Sequence, residues 1–263
     1  MPGVHKGIRV LVLWGALVAS GSAVGSPAAA EAISGTTSVP TTVRVFTSGS
    51  LPLPGDSSVP IQVTASGALN FVTGTASITL HVPGRLAMTF PGGSDKPTTV
   101  DLLLVKAVVY LSYPGLALAT GGKSWVTVGE GSSEGMATFF QFIAMYLADV
   151  PAQLRKEPAD EAHRLGTSII DGVKAMGYLI DLPRPPYGLT KFWYWVDAEN
   201  QLVQNKVMAV PAKGLPTTGT TDYFSYNTPV SVAAPPASEV KAEPSSVFTK
   251  YLSTAYGVIE LVI

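Results

Sequence analysis

The sequence predicts an α+β protein in which an antiparallel β-sheet packs around an apolar helix and encloses an apolar cavity. The first observation is a regular alternation of apolar and polar side chains from Ile61 to Val82, typical of strands with one dry face and one wet face. The second is a helix-forming segment, residues 135–150, whose apolar side chains do not keep to one stripe. A helix of that kind must be enclosed, and the dry face of the sheet is the surface available to enclose it.

The predicted helix follows the cap-type residues Ser132 and Ser133 and can end or bend at Pro151. It is shorter than the roughly 20 residues that a membrane span needs. Either it is an ordinary core helix, or it lines a cavity for an apolar ligand, which its Phe and Met side chains suit because Met adapts to irregular apolar shapes. Under the second hypothesis, the cavity residues from the helix are Phe139, Phe140, Phe142, Ile143, Tyr146 and Leu147.

The sheet is expected to supply the opposite wall of this cavity. Alternation puts Leu69 and Phe71 on the dry face of one strand, and Ile78 and Leu80 on the dry face of the next. The same pattern continues through residues 86–90, which we predict to be strand. The cavity residues expected from the sheet are therefore Leu69, Phe71, Ile78, Leu80, Met88 and Phe90.

Further strands are predicted on both sides of the helix. Residues 100–113 are apolar on both faces apart from Asp101 and Lys106, which predicts one central strand covered on both sides. After the helix, apolar segments are separated by turn-forming residues: the chain is expected to turn at Gly172, and residues 197–200 are predicted to form a hairpin loop. The strands predicted in this part of the chain are 165–171, 173–182, 189–196, 202–210 and 217–226.

One folded domain is expected, residues 59–240, between two terminal segments of different character. Residues 31–58 are rich in Ser, Thr, Gly and Pro, and we predict that they are mostly flexible, with one strand-like alternation at 39–46. Residues 241–263 combine helical spacing with a strand-like end at 257–263. This C-terminal tail can dock on the domain, cover a sheet edge or bind a partner.

Residues 1–30 have the layout of a cleavable secretory signal peptide. A short basic start precedes an apolar run, residues 10–19, that is too short to span a membrane as a stable helix. Small residues follow and place the cleavage after Ala30 or Ala32. An uncleaved membrane anchor is the alternative. The signal predicts a secreted or periplasmic protein.

The composition excludes several classes of function. Of the 17 basic residues, Lys6 and Arg9 lie in the signal segment, which leaves 15 basic against 18 acidic residues and a net charge of −3. No basic patch therefore supports nucleic-acid binding. The sequence has no cysteine, which excludes disulfides, thiol catalysis, cysteine-based zinc sites and the acylated cysteine of a lipoprotein anchor.

The sequence contains no constellation that indicates catalysis or metal binding. Beyond the signal segment its histidines are His81, on the polar face of a strand, and His163, in a charged connection. Neither accompanies a nucleophile motif, and scattered carboxylates give no metal-ligand spacing. We therefore expect no enzyme activity, no cofactor and no metal.

Short motifs follow one another in a characteristic order over residues 61–240. They are Gly67 with Gly74, Val109-Tyr110, Gly122-Lys123-Ser124-Trp125-Val126, Arg164-Leu165-Gly166, Asp171-Gly172, Tyr178, Trp195-Val196-Asp197, Asn200-Gln201-Leu202, Pro229-Val230, Pro235-Pro236 and Glu239-Val240. In this order they resemble the LppX/LprG family of actinobacterial envelope lipoproteins. The chain departs from the family at the cleavage site, where Ala28 to Ala32 replace the usual lipid-modified cysteine.

The resemblance implies a fold similar to that of LolA-type carriers: a curved antiparallel sheet, or half-open barrel, closed by helices over an apolar cavity. It also implies binding and transport of acylated lipids or lipoglycans in the cell envelope. Without the cysteine, we expect a relative that is not lipid-anchored and that contacts membrane surfaces transiently. A monomer is expected, and an envelope transporter is a candidate partner.

Two other functions are compatible with the sequence. A secreted structural or interaction module with a filled core could dock a protein through Trp193 and Trp195, which alternation puts on one face of a strand. Those aromatics can equally be part of a sheet that packs on the helix. A weaker alternative is an enzyme that acts on polar lipids with His163.

Overall fold

Twelve strands of the described chain form one β-sheet in this computed structural model. The structure describes residues 39–53, 56–88, 90, 92–106, 108–128, 147–148, 150–152, 154, 162–184, 188–210 and 215–243. The strands are β1 (Thr42–Leu53), β2 (Asp56–Asn70), β3 (Thr75–Val82), β4 (Thr98–Val105), β5 (Val108–Ser112), β6 (Trp125–Val128), β7 (Ala162–Ile170), β8 (Val173–Arg184), β9 (Gly188–Val196), β10 (Leu202–Val210), β11 (Thr217–Phe224) and β12 (Val240–Glu243).

Few helices accompany the sheet in the described residues. They are α1 (Gly84–Ala87), α2 (Leu116–Thr120) and a 3₁₀ turn (Ala237–Glu239). Residues 147, 148, 150–152 and 154 are also helical, which agrees with the end of the predicted helix although that helix was expected to end or bend at Pro151. The rest of it, including Phe139, Phe140, Phe142, Ile143 and Tyr146, lies outside the described residues.

The sheet is large, curved, open and almost entirely antiparallel. Its strand order is β12-β6-β5-β4-β3-β2-β1-β11-β10-β9-β8-β7, and only the pairing of β12 with β6 is parallel. The predicted mostly antiparallel, curved sheet is confirmed. The two predicted hairpins are also present: β7 and β8 turn at Asp171 and Gly172, both with positive φ, and β9 and β10 pair across a turn that contains Asn200.

Each strand turns one side toward the core, and we call that side the inner face. On β1, for example, Val43 and Val45 are at most 2% exposed, whereas the alternate residues Arg44 and Phe46 point to the outer face. Cross-strand partners share a face, so the same alternation passes from strand to strand through the pairing register. One hydrophobic cluster extends over the inner face from β1 to β6 and from β7 to β11.

The strand-like alternation predicted at 39–46 is present from Thr42 on, but the expectation of a mostly flexible segment is wrong, because strand extends over the whole of Thr42–Leu53. These residues form β1, which pairs with β2 on one side and with β11 on the other and so lies at the centre of the strand order. The Ser and Thr residues that suggested a linker occupy its outer face or, as Thr47 does, form a buried hydrogen bond.

Residues 86–90 are not a strand. Leu86 lies in α1, and Met88 caps that helix with a side chain that is 55% exposed. Gly84, the first residue of α1, packs against the backbone of Asp95. A Cβ at this position would overlap that backbone, so glycine allows α1 to lie this close to Asp95. Leu86 and Phe90 are buried and Met88 between them is exposed, so a single helical turn, and not a strand, produces the alternation of apolar residues seen in the sequence.

The predicted single strand over 100–113 is two strands. β4 and β5 form a hairpin in which Val105 pairs with Val108, and Lys106 takes a positive φ of 51° at the turn. Lysine rarely adopts a left-handed turn conformation, so nothing in the sequence indicated a turn between the two apolar segments.

The domain end also differs from the expected boundary at residue 240. Val240–Glu243 form β12, which adds a parallel strand to β6 and takes in the start of the predicted tail. Lys123 Nζ donates to the carbonyl oxygen of Ser238 at 2.6 Å, and Ser124 Oγ donates to Glu239 Oε2 at 2.9 Å, which fixes the turn before β12 to the start of β6. Residues 244–263 lie outside the described residues.

Candidate functional site

The inner-face positions of β2 to β6 form what we call the apolar half. Nearly every described position carries a hydrocarbon side chain, and Thr98 at the start of β4 supplies a hydroxyl. Cross-strand pairing places these side chains in adjacent rows with no charged group between them. Its buried members are Ile61, Val63, Ala65, Leu69, Ala76, Ile78, Leu80, Val82, Val100, Leu102, Leu104, Val109, Leu111 and Val126.

One end of the apolar half is closed by the two connections that contain α1 and α2. Leu86 of α1 and Leu116 of α2 are 1% and 4% exposed and belong to the same hydrophobic cluster as the strands. The ring of Phe90 lies 5.2 Å from that of Tyr113, which joins the residues that follow α1 to those that precede α2.

Backbone contact between Gly92 and Gly115 brings these two connections together. Both residues have positive φ, and a Cβ on either would overlap the carbonyl oxygen of the other. Glycine is required here because the conformation and the close approach exclude a side chain at the same time. The connections therefore form a fixed end for the apolar half.

The inner-face positions of β7 to β11 form the mixed half, where polar and aromatic side chains replace hydrocarbon ones. Next to β1, the hydroxyls of Thr47 and Thr221 share a hydrogen bond of 2.9 Å, and both residues are at most 2% exposed. Phe192 and Tyr194 of β9 stack with ring centroids 6.2 Å apart. A buried hydroxyl pair is stable here because each hydroxyl provides the other with a partner.

A single cross-strand row connects the two halves. It crosses nine strands, and at about 4.8 Å per strand it extends roughly 38 Å. Its side chains change from hydrocarbon through hydroxyl and amide to tyrosine, and finally to arginine. From β4 to β7 the row consists of Val100, Leu80, Ala65, Thr47, Thr221, Asn205, Tyr194, Tyr178 and Arg164.

Exposure in the mixed half is greatest at β7. Ile169 on β7 is 76% exposed, whereas Tyr178 on β8 and Tyr194 on β9 are 2% exposed and Phe192 and Val207 are half-buried. Since β7 is the last strand in the sheet order, the inner face opens to solvent along this edge. The apolar half has no comparable opening among its described side chains.

Charges are segregated between the two faces of the sheet. Among the strand residues whose side chains are described, the carboxylates are those of Asp101, Asp181 and Asp222, and register puts all three on the outer face. Each has a partner there: Thr79 Oγ1 donates to Asp101 at 2.7 Å, Lys191 lies 3.3 Å from Asp181, and Gln204 Nε2 donates to Asp222 at 2.7 Å.

The described charged side chains on the inner face are all basic. Arg164 pairs across the sheet with Tyr178, Lys174 pairs with Ile169, and both basic residues are exposed at the open edge. Lys241 on β12 occupies the opposite edge, in register with Val126. The β7 edge of the inner face is therefore a positive rim, with no carboxylate at the inner-face positions of β7 and β8, whereas at the opposite edge Glu243 shares the face of Lys241.

The predicted cavity residues have different positions in the structure. Leu69, Ile78, Leu80, Phe90 and Leu147 are at most 7% exposed and belong to the core cluster, and Phe71 packs against it while half-buried. Met88 is instead exposed at the end of α1, outside this cluster.

Leu69, Ala65 and Val100 are 0% exposed. The space expected beside the sheet is therefore not vacant at these positions in this conformation. The sequence analysis also missed the inner-face residues of β7 to β11. They are recognised only when Thr47 is known to pair with Thr221, and the sequence alone does not give the register between β1 and β11.

The outer face carries the aromatic pair that suggested protein docking. Trp193 and Trp195 are half-buried there, with Lys206 Nζ 5.5 Å from the ring centroid of Trp193. The ring of Trp195 covers Gly177, at which an added Cβ would lie 3.1 Å from the indole nitrogen. Both aromatic residues thus pack on the sheet surface and on its side chains.

The described residues contain neither a metal-binding cluster nor a membrane-spanning helix. They contain no group of three His, Asp or Glu side chains that could hold a metal ion. None of their helices has the length and apolar content needed to cross a bilayer. The two histidines considered from the sequence, His81 and His163, are exposed on β3 and β7 respectively.

Comparison with known proteins gives likenesses in structure and none in sequence. No family model matches the chain, and neither does any curated protein. Among solved structures, the chain is similar to lipoprotein LppX of Mycobacterium tuberculosis, with 11% identity, a TM-score of 0.43, and 74% of this chain and 90% of LppX covered.

Two further likenesses are to proteins named for the LolA superfamily or for lipoprotein sorting. One is a LolA-superfamily protein of Nitrosomonas europaea, with 10% identity, a TM-score of 0.25, and coverage of 81% of this chain and 92% of that protein. The other is an outer-membrane lipoprotein-sorting domain of Vibrio parahaemolyticus, with 9% identity, a TM-score of 0.17, and coverage of 96% and 100%. The resemblance named from the sequence is confirmed to this extent.

Proposed function

We propose that the chain is a noncatalytic carrier that binds the acyl chains of lipids or lipoglycans in the bacterial cell envelope. The observation that carries this proposal is the inner face of the sheet, which joins a closed hydrocarbon surface to a face open at β7. A binding protein for an amphiphile needs both an apolar surface for the chains and an aqueous opening for the head group. The positive rim adds no catalytic group to this arrangement.

The energetic case depends on the cost of exposing an acyl chain to water. Each methylene that leaves an apolar environment costs about 0.8 kcal/mol, so a chain of roughly fifteen methylenes costs on the order of 12 kcal/mol. A protein that covers most of that chain lowers the barrier to crossing an aqueous compartment without performing any chemistry. The apolar half is a surface of the required kind.

Binding at the apolar half requires a conformational change. Ala65, Leu69 and Val100 are completely covered, so an acyl chain cannot contact them until the apolar cover separates from the sheet. The described helical part of this cover is Leu147, Val150 and Leu154, which belong to the same hydrophobic cluster as the strands. The mixed half is where a ligand first finds accessible inner surface, because Phe192 and Val207 are half-buried there. We infer that a ligand enters from the β7 side and displaces the cover as it moves toward β2.

Native mass spectrometry of the full chain exported from a bacterial host tests the proposal directly. We expect acyl-bearing species to co-purify, or to be taken up when the delipidated protein is incubated with vesicles of phosphatidylglycerol and phosphatidylcholine. A protein that neither retains nor takes up acyl species under both conditions contradicts the carrier function. That result is what the filled-core interaction module predicts.

A pair of tryptophan substitutions tests the route of uptake. Val207→Trp adds an indole to a half-buried inner position, and Met208→Trp adds the same group to the neighbouring outer position. We expect Val207→Trp to reduce acyl uptake about tenfold or more, while Met208→Trp leaves uptake within about twofold, the two variants having similar stability. Equal uptake by both variants would place the ligand elsewhere.

A further inference from the structure

We propose that the ligand is an amphiphile with an anionic head group, bound with its head group at Arg164 and Lys174 and its acyl chains directed along the inner face toward the apolar half. This inference rests on the proposed carrier function and adds to it the class and the orientation of the ligand. It follows from the order of side chains along the inner face, where hydrocarbon, hydroxyl and cationic groups occur in sequence from β4 to β7.

The change from hydrocarbon to polar side chains along the cross-strand row determines the direction in which the ligand lies. At its β4 end, Val100 and Leu80 offer only hydrocarbon, which an acyl chain can contact without loss of hydrogen bonds. Toward β7, the side chains of Asn205 and Tyr194 present polar atoms next to aromatic surface. A head group placed over the hydrocarbon end would lose its water without compensation, so the reverse orientation is disfavoured.

The charge of the rim determines the class of head group. Arg164 and Lys174 are exposed on the inner side of the open edge, and neither forms an ion pair with a described residue. The strand carboxylates that could neutralise them, Asp101, Asp181 and Asp222, are all on the opposite face and have partners there. An anionic group at this edge thus meets two basic side chains and no described carboxylate from the strands.

The two basic residues are far enough apart to suit a head group larger than a single phosphate. Arg164 lies beside Tyr178, and Lys174 is four residues further along β8, about 13 Å at the usual rise of a strand. Long side chains reduce this separation, since both Arg and Lys have flexible stems. A phosphate together with its attached polyol can contact both, which favours a phosphate-bearing lipid over a simple fatty acid.

Fluorescence titration of the delipidated full chain with three single-chain amphiphiles tests this assignment. The probes share a palmitoyl chain and carry a phosphoglycerol, a phosphocholine or an uncharged glycerol head group. We expect the phosphoglycerol amphiphile to bind most tightly. In Arg164→Gln/Lys174→Gln its affinity should fall about three- to tenfold, with the glycerol amphiphile unaffected within twofold, since exposed charge contacts contribute modestly.

A charge-matched variant provides the control. Arg44→Gln/Lys206→Gln removes the same two positive charges from the outer face, where Arg44 is exposed and Lys206 lies over Trp193. We expect its preference for phosphoglycerol to equal that of the wild type. An equal loss in the two double variants would assign the effect to the overall charge and overturn the proposed head-group site. Glycerol 3-phosphate without an acyl chain should not compete, and strong competition would indicate a site for a free phosphate compound.

The failures of the two proposals are distinguishable. If no amphiphile binds the wild-type protein, the carrier function itself is contradicted. If all three bind with equal affinity and the inner-face double variant behaves like the wild type, the carrier function stands and the anionic head-group assignment is wrong.

Discussion

The apolar half and the mixed half have the same backbone arrangement but differ in what their inner positions carry. In both, antiparallel strands are joined mostly by short connections and turn alternate residues inward. In the apolar half those residues are nearly all hydrocarbon, and α1 and α2 close its end. In the mixed half they include hydroxyl, amide, tyrosine and basic side chains, and the edge is open. The comparison shows that side-chain chemistry divides a continuous sheet into a sealed region and an accessible one.

The largest expected effect concerns the closed end of the apolar half. Gly115→Ala places a Cβ against the carbonyl oxygen of Gly92 at a residue with a φ of 96°, and we expect it to lower the free energy of unfolding by roughly 3 kcal/mol. Urea unfolding followed by circular dichroism measures this change. If the two connections were free to separate, the loss would be much smaller.

A second glycine of nearly equal φ provides the control for backbone strain. Gly122 has a φ of 97°, but a Cβ added there would have no neighbour within 4 Å. Gly122→Ala should therefore cost only about 1 kcal/mol, the cost of the left-handed conformation. The difference between the two variants reports the contact between the connections. A difference near zero would remove the argument that this end is fixed.

A smaller effect is expected where the two halves meet. Thr47→Val and Thr221→Val each remove one side of the buried hydroxyl pair, and each should destabilise the fold by about 1 kcal/mol. The double variant should lose less than the sum, because removing the second hydroxyl leaves no unmatched partner in that pair. Thr220→Val, next to Thr221 but on the outer face of β11, should change the free energy of unfolding by less than about 0.5 kcal/mol. Additive losses would show that the hydroxyls act independently.

The smallest effect is expected on the outer face of the mixed half. Lys206→Gln removes the cation that lies 5.5 Å from the Trp193 ring centroid, and we expect a loss of about 0.5 kcal/mol in the free energy of unfolding. Lys206→Arg should retain most of that contribution. A loss of several kcal/mol for the Gln variant would mean that the outer face is as important to stability as the inner one.

The sequence predicted the elements whose patterns are local. The alternation from Ile61 to Val82 gave β2, β3 and their buried face, and the turn residues at Asp171-Gly172 and Asn200 gave two hairpins. These predictions succeeded because period-two patterning and left-handed turn residues act within a few positions of the chain.

The predictions that failed depended on neighbours that are distant in the chain. Residues 47–53 resemble a linker when read alone, and they extend the central strand because β2 and β11 pair with this strand on both sides. Lys106 adopts a left-handed turn that its residue type does not favour, so the β4–β5 hairpin was missed. The candidate site could be predicted only in its apolar part, since the row that ends at Arg164 exists only once the register of nine strands is fixed.

The position of β1 affects how the protein can fold. β2 to β6 and β7 to β11 can each assemble largely from neighbours in the chain, but joining the two groups requires pairings between distant residues. These are β11 with β1, across the 174 positions that separate Thr221 from Thr47, and β12 with β6. Contacts between such distant residues form slowly, because a long loop must close before they contribute stability. During synthesis β1 is the first of the twelve described strands to emerge, and its partner β11 is the eleventh. Until then one of its edges is exposed, and a chaperone that protects this edge would increase the yield of native protein.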